Sequence, residues 1–172
     1  MTDKTDQTDS TQTNKIFAII AEDTYTLSQL QKRLGFLREQ MTRQFFGASP
    51  AKTAYTPPEE RDWLQIVSKQ LESHVTKENI YQIFAQLEAD VKNTSPLVIM
   101  LPFLLPPAQT SALGKWLREQ FNASIFFEPK LDSNLIAGCA LIWKGVYKDF
   151  SLRQKVEDQR QTIFADFGQY LK

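Results

Sequence analysis

The chain has 172 residues, 42 % of them hydrophobic, and its 20 basic and 20 acidic side chains cancel to zero net charge. That length allows one ordinary domain or two small ones with a real core, and the balanced charge supplies no global field to draw nucleic acid or an anionic membrane. One cysteine excludes an internal disulfide, and one histidine leaves no basis for a His/Cys metal centre or a Ser-His-Asp triad.

Residues 1–14, "MTDKTDQTDSTQTN", lack the apolar stretch of a signal peptide and too little of the segment is apolar to offset its ordering entropy, so a disordered tail is expected. "KIFAIIAE" (residues 15–22) is too short for periodicity to separate helix from strand. From there the pattern is helical. Leu27, Leu30, Leu34, Leu37, Met41 and Phe45 recur at three and four residues, with Thr26 and Gln29 as a capping box and Gly47 as a stop. Residues 48–58 read as a loop. Thr56, Pro57 and Glu59 then mark a second helix, with Leu64, Val67 and Leu71 as its buried stripe and Trp63 flanking the core. His74 falls at the end of that helix, in a capping or solvent position. Thr76 caps a third helix carrying Ile80, Phe84, Leu87 and Val91, and "NTSP" (residues 93–96) makes a boundary.

Beyond the boundary the character changes. "LVIML" (residues 97–101) reads as a buried strand. The apolar run around it, residues 96–107, is shorter than the ~20 residues of a membrane span and is interrupted by Pro102, so the chain reads as soluble. Pro106 and Pro107 open a helix with Leu113, Trp116, Leu117 and Phe121 inward, ended by Asn122. Residues 123–131 and 135–143 read as strands on either side of a polar "DSN" turn, with Cys139 as a small buried hydrophobe. Lys144 and Gly145 turn the chain into a short strand, "VYKD", and Ser151 caps a last helix lined by Leu152, Val156, Ile163, Phe167 and Tyr170. That stripe either packs on the chain's own sheet or meets a partner; Phe164 lies off it and is the better interface candidate. The expected fold is α+β: a disordered tail (1–14), a small helical bundle (15–94), then a strand-helix-strand-strand-helix unit (95–172) whose first two strands are joined by a right-handed crossover.

No chemistry-bearing motif is found along the way. The six glycines fall in no phosphate-cradling spacing, and no HxxEH, CxxC or paired-carboxylate signature occurs, so no catalytic, cofactor-binding or metal-ligating set is expected. Asp62, Glu72, Glu88 and Asp90 read as solvated helix faces.

Residues 95–159 resemble the C-terminal region of the delta subunit of bacterial F-type ATP synthases, whose mitochondrial counterpart is the oligomycin-sensitivity-conferring protein. Leu135, Ile136 and Gly138 stand where that family has Leu-Ile-Gly-Gly, with Ala137 in place of the first glycine. Gly145 matches a glycine turn, Asp149 and Ser151 match the acid and serine before the terminal helix, and Leu152 the apolar residue after them. Phe150 replaces a glycine, the turn before Asp149 is one residue shorter, and the first half shows three clear helices where the family has a six-helix bundle. The resemblance implies a non-catalytic stator subunit of a proton-translocating ATP synthase. Its partners would be the N-terminal ends of the alpha subunits in the catalytic head and the stalk subunit b. It would sit at the cytoplasmic face of the membrane, held there only through the complex. Ile163, Phe164, Phe167 and Tyr170 are then the candidate stalk contacts.

The residues by themselves leave a second class open: a small α+β binding or adaptor module associated with RNA. Lys115, Arg118, Lys144, Lys148, Arg153 and Lys155 would form its basic surface, and Trp143 and Tyr147 would stack bases. Zero net charge counts against it, and strongly salt-dependent RNA binding would mark it.

Overall fold

The computed structural model describes residues 5–47, 56–121 and 125–170, except for the side chains of residues 5–11, 163, 165, 169 and 170. The chain is α+β and divides into two compact units, Met1–Thr94 and Ser95–Lys172.

The first unit holds α1 (Thr5–Ala21), α2 (Leu27–Phe46), α3 (Pro58–Leu71) and α4 (Ile80–Asn93), with α1 against each of the other three. Its core is the set of stripes that periodicity marks: Leu30, Leu34, Leu37 and Met41 of α2, Leu64, Val67 and Leu71 of α3, and Ile80, Phe84, Leu87 and Val91 of α4 are all buried. Ile16 and Ile20 of α1 join it, as do Tyr25, Val75 and Ile83, which lie outside those stripes. Thr26 caps α2 as expected, its hydroxyl accepting from the Gln29 N–H at 3.1 Å.

Helix α1 settles one open reading and corrects one expectation. The ambiguous 15–22 run is helical through Ala21, and the helix continues backwards through residues 5–14, which read as a disordered tail. Residues 1–4 lie outside the described residues. Composition judged the tail as an isolated segment, but it extends a helix whose buried face Ile16 and Ile20 already anchor, so it needs propagation rather than a new nucleus. Thr13 is buried on the same face, and the Gln12 amide donates to the His74 carbonyl between α3 and α4.

Two helix starts also differ. Pro57, not Thr56, is the N-cap of α3, without a side-chain bond because the proline ring carries no acceptor; the Glu60 N–H donates to the Pro57 carbonyl at 3.0 Å instead. Helix α4 begins at Ile80 behind Asn79 rather than on a Thr76 cap. The Asn79 side chain instead closes the preceding turn, accepting from the Thr76 N–H at 2.7 Å and donating to the His74 carbonyl at 3.3 Å.

One buried residue was not visible in the apolar pattern. Arg33 stands on the inward face of α2, only 7 % exposed. Its guanidinium donates to Glu60 Oε2 at 2.7 Å, to the Asp23 carbonyl at 2.7 Å and to Thr24 Oγ1 at 2.9 Å, and lies 4.3 Å over the Trp63 ring. Trp63 is half-buried, so its flanking position by the core serves as the arginine's apolar lid.

The second unit holds β1 (Leu97–Leu101), α5 (Pro107–Phe121), β2 (Phe127–Leu131), β3 (Ala140–Trp143), β4 (Val146–Asp149), α6 (Leu152–Asp158) and α7 (Arg160–Tyr170). Its sheet has the order β2-β1-β3-β4. β1 and β2 are parallel, joined by α5, while β3 pairs antiparallel with both β1 and β4. The register puts Ile99, Pro129 and Leu141 side by side on one face and Met100 beside Ala140 on the other. Pro129 is tolerated because β2 is an edge strand.

Several expectations for this unit are corrected. The second and third strands start later than read, at Phe127 and Ala140, and residues 132–139 form a connection; residues 122–124 lie outside the described residues. In β1 only Ile99 is buried. On α5, Leu117 and Gly114 face inward and Leu113 is half-buried, but Trp116 and Phe121 are more than half exposed. Their spacing fits the apolar stripe, yet a four-stranded sheet does not need the full width of the helix. Cys139 is half-buried. The last helix is interrupted at Gln159, giving α6 and α7.

Candidate functional site

The site is built where the connection 132–139 meets the exit from β4. The Asp132 carboxylate accepts from the Asn134 N–H at 2.9 Å, closing the polar turn as an Asx turn. The chain then runs antiparallel to residues 150–152. The Phe150 N–H donates to the Cys139 carbonyl and the Leu152 N–H to the Ala137 carbonyl, both at 2.9 Å. Between these two bonds sits Gly138, at φ +87°. A Cβ at this position would lie 2.4 Å from the Phe150 carbonyl oxygen and 2.9 Å from Ser151 Cα. Glycine is therefore required twice, by its left-handed backbone and by the approach of another chain segment.

Asp149 and Ser151 complete the clasp. Asp149 Oδ1 accepts from the Ser151 N–H at 2.7 Å, and the fully buried Ser151 hydroxyl accepts from the Gln154 N–H at 3.3 Å, capping α6. Hydrogen bonds from Ser151 hold the Asp149 carboxyl below the usual carboxylate range, with Tyr147 and Arg153 adding to the effect. Partial desolvation, then the charge and hydrogen bond of Asp149, push the Tyr147 phenol up. Because the Asp149 pKa is depressed, its contribution is present above the unfolded aspartate pKa of about 3.9 and is lost as pH falls through the lower folded value. The native chain should therefore lose the bond from the Ser151 N–H to Asp149 only in acid below that range. Asp149→Asn should flatten the acid dependence, as read by helix signal and stability between about pH 5 and pH 2.

A shallow groove of about 370 Å³ opens beside the clasp, lined by Asp132, Asn134, Tyr147, Asp149, Arg153 and Glu157 among others. Three carboxylates, one guanidinium and the hydroxyls of Tyr147 and Ser151 provide its polar contacts, the Tyr147 hydroxyl donating to Asp149 Oδ2 at 3.4 Å. Among the described residues no group of three or more His, Cys, Asp or Glu side chains is placed to hold a metal ion.

The structure thus brings together Leu135, Gly138, Asp149 and Ser151 of the motif residues, with Leu135 and Ser151 buried. Leu152 joins them through its backbone N–H alone, and Ile136 and Gly145 are not brought in. Ile136 is 75 % exposed, and Leu152 is about half exposed. Gly145 lies at the tip of the β3–β4 hairpin, where Lys144 and Gly145 both take positive φ, as a two-residue turn demands. The groove residues Tyr147 and Asp132 were not singled out with the motif; only the hydrogen-bonding Asp-x-Ser spacing hinted at a cluster there.

Beyond the clasp the chain continues as α6 and α7. No described residue of either helix is buried, so the described apolar residues do not pack on the chain's own sheet. Val156 is 47 % exposed, Phe164 63 % and Phe167 62 %. The side chains of Ile163 and Tyr170 lie outside the described residues. Among the described residues, no helix is long and apolar enough to cross a membrane.

The basic residues of the RNA-associated alternative sit on separate elements: Lys115 and Arg118 on α5, Lys144 at the hairpin tip, Lys148 on β4, Arg153 and Lys155 on α6. Arg118 lies over Phe126, and the Lys144 ammonium lies 5.6 Å from the Trp143 ring centre. Tyr147 shares its surroundings with the carboxylates of Asp149 and Asp132, an environment that repels a phosphate backbone. In comparisons with known proteins, no family model matches the chain and no curated protein matches it.

Proposed function

We propose that the chain is a non-catalytic stator subunit of an F-type ATP synthase, linking the catalytic head to the peripheral stalk and resisting rotor torque. The observation that carries the reading is the clasp. Residues of the motif, Leu135, Gly138, Asp149 and Ser151, converge where β4 hands over to a terminal helical segment whose described apolar residues are exposed. Such a junction fixes the start of a docking helix at the end of a strand without reactive chemistry. In this reading α6 and α7 grip the stalk subunit b, and the helical unit meets the N-terminal ends of the alpha subunits with four described helices rather than six. The protein then works at the cytoplasmic face of the membrane, attached through the complex.

Phe164→Asp tests the stalk contact. Phe164 is 63 % exposed and touches Arg160 through its ring, so folding should be unchanged to within about 0.5 kcal/mol. Binding to a soluble segment of subunit b, measured by calorimetry, should weaken at least tenfold, as for the loss of an aromatic anchor worth about 2 kcal/mol. Normal folding with unchanged affinity would remove Phe164 from the interface.

A further inference from the structure

The terminal segment carries one apolar seam on two helices. Plotted on a single uninterrupted helix at 100° per residue, positions 152, 156, 163, 167 and 170 fall within an arc of about 60°. Leu, Val, Ile, Phe and Tyr occupy them. So narrow a seam suits the face of one other helix, since a broad core contact needs a wider stripe. The interruption at Gln159 divides it, leaving Leu152 and Val156 on α6 and the remainder on α7.

Nothing in the local sequence enforces the interruption. No proline or glycine stands between Leu152 and Phe167. Gln159 lies at φ −100°, ψ 5°, and its N–H still donates to the Lys155 carbonyl at 3.1 Å. Those angles are within roughly 50° of helical values. The seven-residue α6 is too short to be stable by itself, and no described residue of α6 or α7 is buried to reward continuity. The break is therefore shallow, and covering the seam would reward closing it.

We infer that residues 152–170 close across Gln159 into one continuous helix when a partner helix covers the seam, so that docking and helix continuity are coupled. The identity of the partner rests on the stalk reading; the closure itself does not.

Amide exchange at Arg160, Gln161 and Thr162 reads the closure, because the first N–H groups of a helix lack partners within it. Exposed position 159 is varied in the full chain. Gln159→Ala favours the continuous helix and Gln159→Gly the interrupted one, by roughly fivefold in population between them. In the free chain, protection at 160–162 should rank alanine, wild type, glycine across that span. A saturating soluble segment of subunit b should raise it more than tenfold in the wild type, and the alanine variant should bind more tightly than the glycine variant. Equal protection in the two variants, or open amides at 160–162 in the bound wild type, overturns the inference. If the wild type does not bind the segment at all, the coupling to the stalk is overturned along with the stalk reading, while the alanine–glycine comparison still decides closure.

Discussion

Gly138→Ala should lower the stability of the second unit by about 3 kcal/mol, one of the two largest effects expected of a single change in this chain. Two costs add. Alanine in the left-handed region costs about 1–2 kcal/mol, and forcing its methyl group against a packed neighbour costs about 1–3 kcal/mol. The neighbour here is backbone, the Phe150 carbonyl and Ser151 Cα, so no flexible side chain can move aside. The bonds from Phe150 to Cys139 and from Leu152 to Ala137 flank the position, and both should weaken with it. Denaturant-dependent amide exchange at β3, β4 and residues 150–154 measures the loss separately from the helical unit. Gly35→Ala is the control: Gly35 lies within α2 with nothing within 4 Å of its Cβ position. It should stabilise the helical unit by up to ~1 kcal/mol. A Gly138→Ala chain as stable as wild type would show that the clasp is loose.

Arg33→Met should destabilise the helical unit by about 2–4 kcal/mol. The guanidinium satisfies Glu60, the Asp23 carbonyl and Thr24 Oγ1 at once, and its removal strands acceptors in a largely buried place. Breaking a buried pair costs about 3–5 kcal/mol; Glu60 remains 21 % exposed, which reduces the figure through solvent screening. Arg33→Lys should recover only part of the loss, because a point charge cannot reproduce the fork or the stacking on Trp63. Urea unfolding followed through Trp63 checks this. If Arg33→Met and Glu60→Gln are strictly additive in a double-mutant cycle, the pair is not coupled and the account of Arg33 is wrong.

These two residues mark what the sequence makes legible and what it does not. The apolar stripes of α2, α3 and α4 were readable because each repeats over several turns at 3.6-residue spacing, and burial follows them. Arg33 was not, because a pattern scored on apolar residues treats a charge as outward-facing. Its burial depends on Glu60, twenty-seven positions away. The tail failed for a related reason: its composition describes residues 5–14 alone, whereas their helix is supported from Ile16 and Ile20 onward.

At the site, local signals again read well. Ser151 as a cap and Gly145 as a turn follow from backbone chemistry within a few residues. The close approach at Gly138 was foreseeable as a type of contact, but its partner, the 150–151 backbone, is set by the sheet order β2-β1-β3-β4. The inward placement of Trp116 and Phe121 failed because periodicity defines an apolar side without saying how much of it a small sheet covers.

The stator proposal is tested most directly by tagging the full chain in its native host and identifying what co-purifies from detergent-solubilised membranes. The expected result is recovery of the ATP synthase alpha and beta subunits together with b, with b lost from a Phe164→Asp chain. Recovery of b without the head would keep the clasp and its docking helix while removing the head contact. Recovery of RNA or unrelated proteins, with no synthase subunit, would contradict the stator function and leave the resemblance at 95–159 as shared architecture without a shared role.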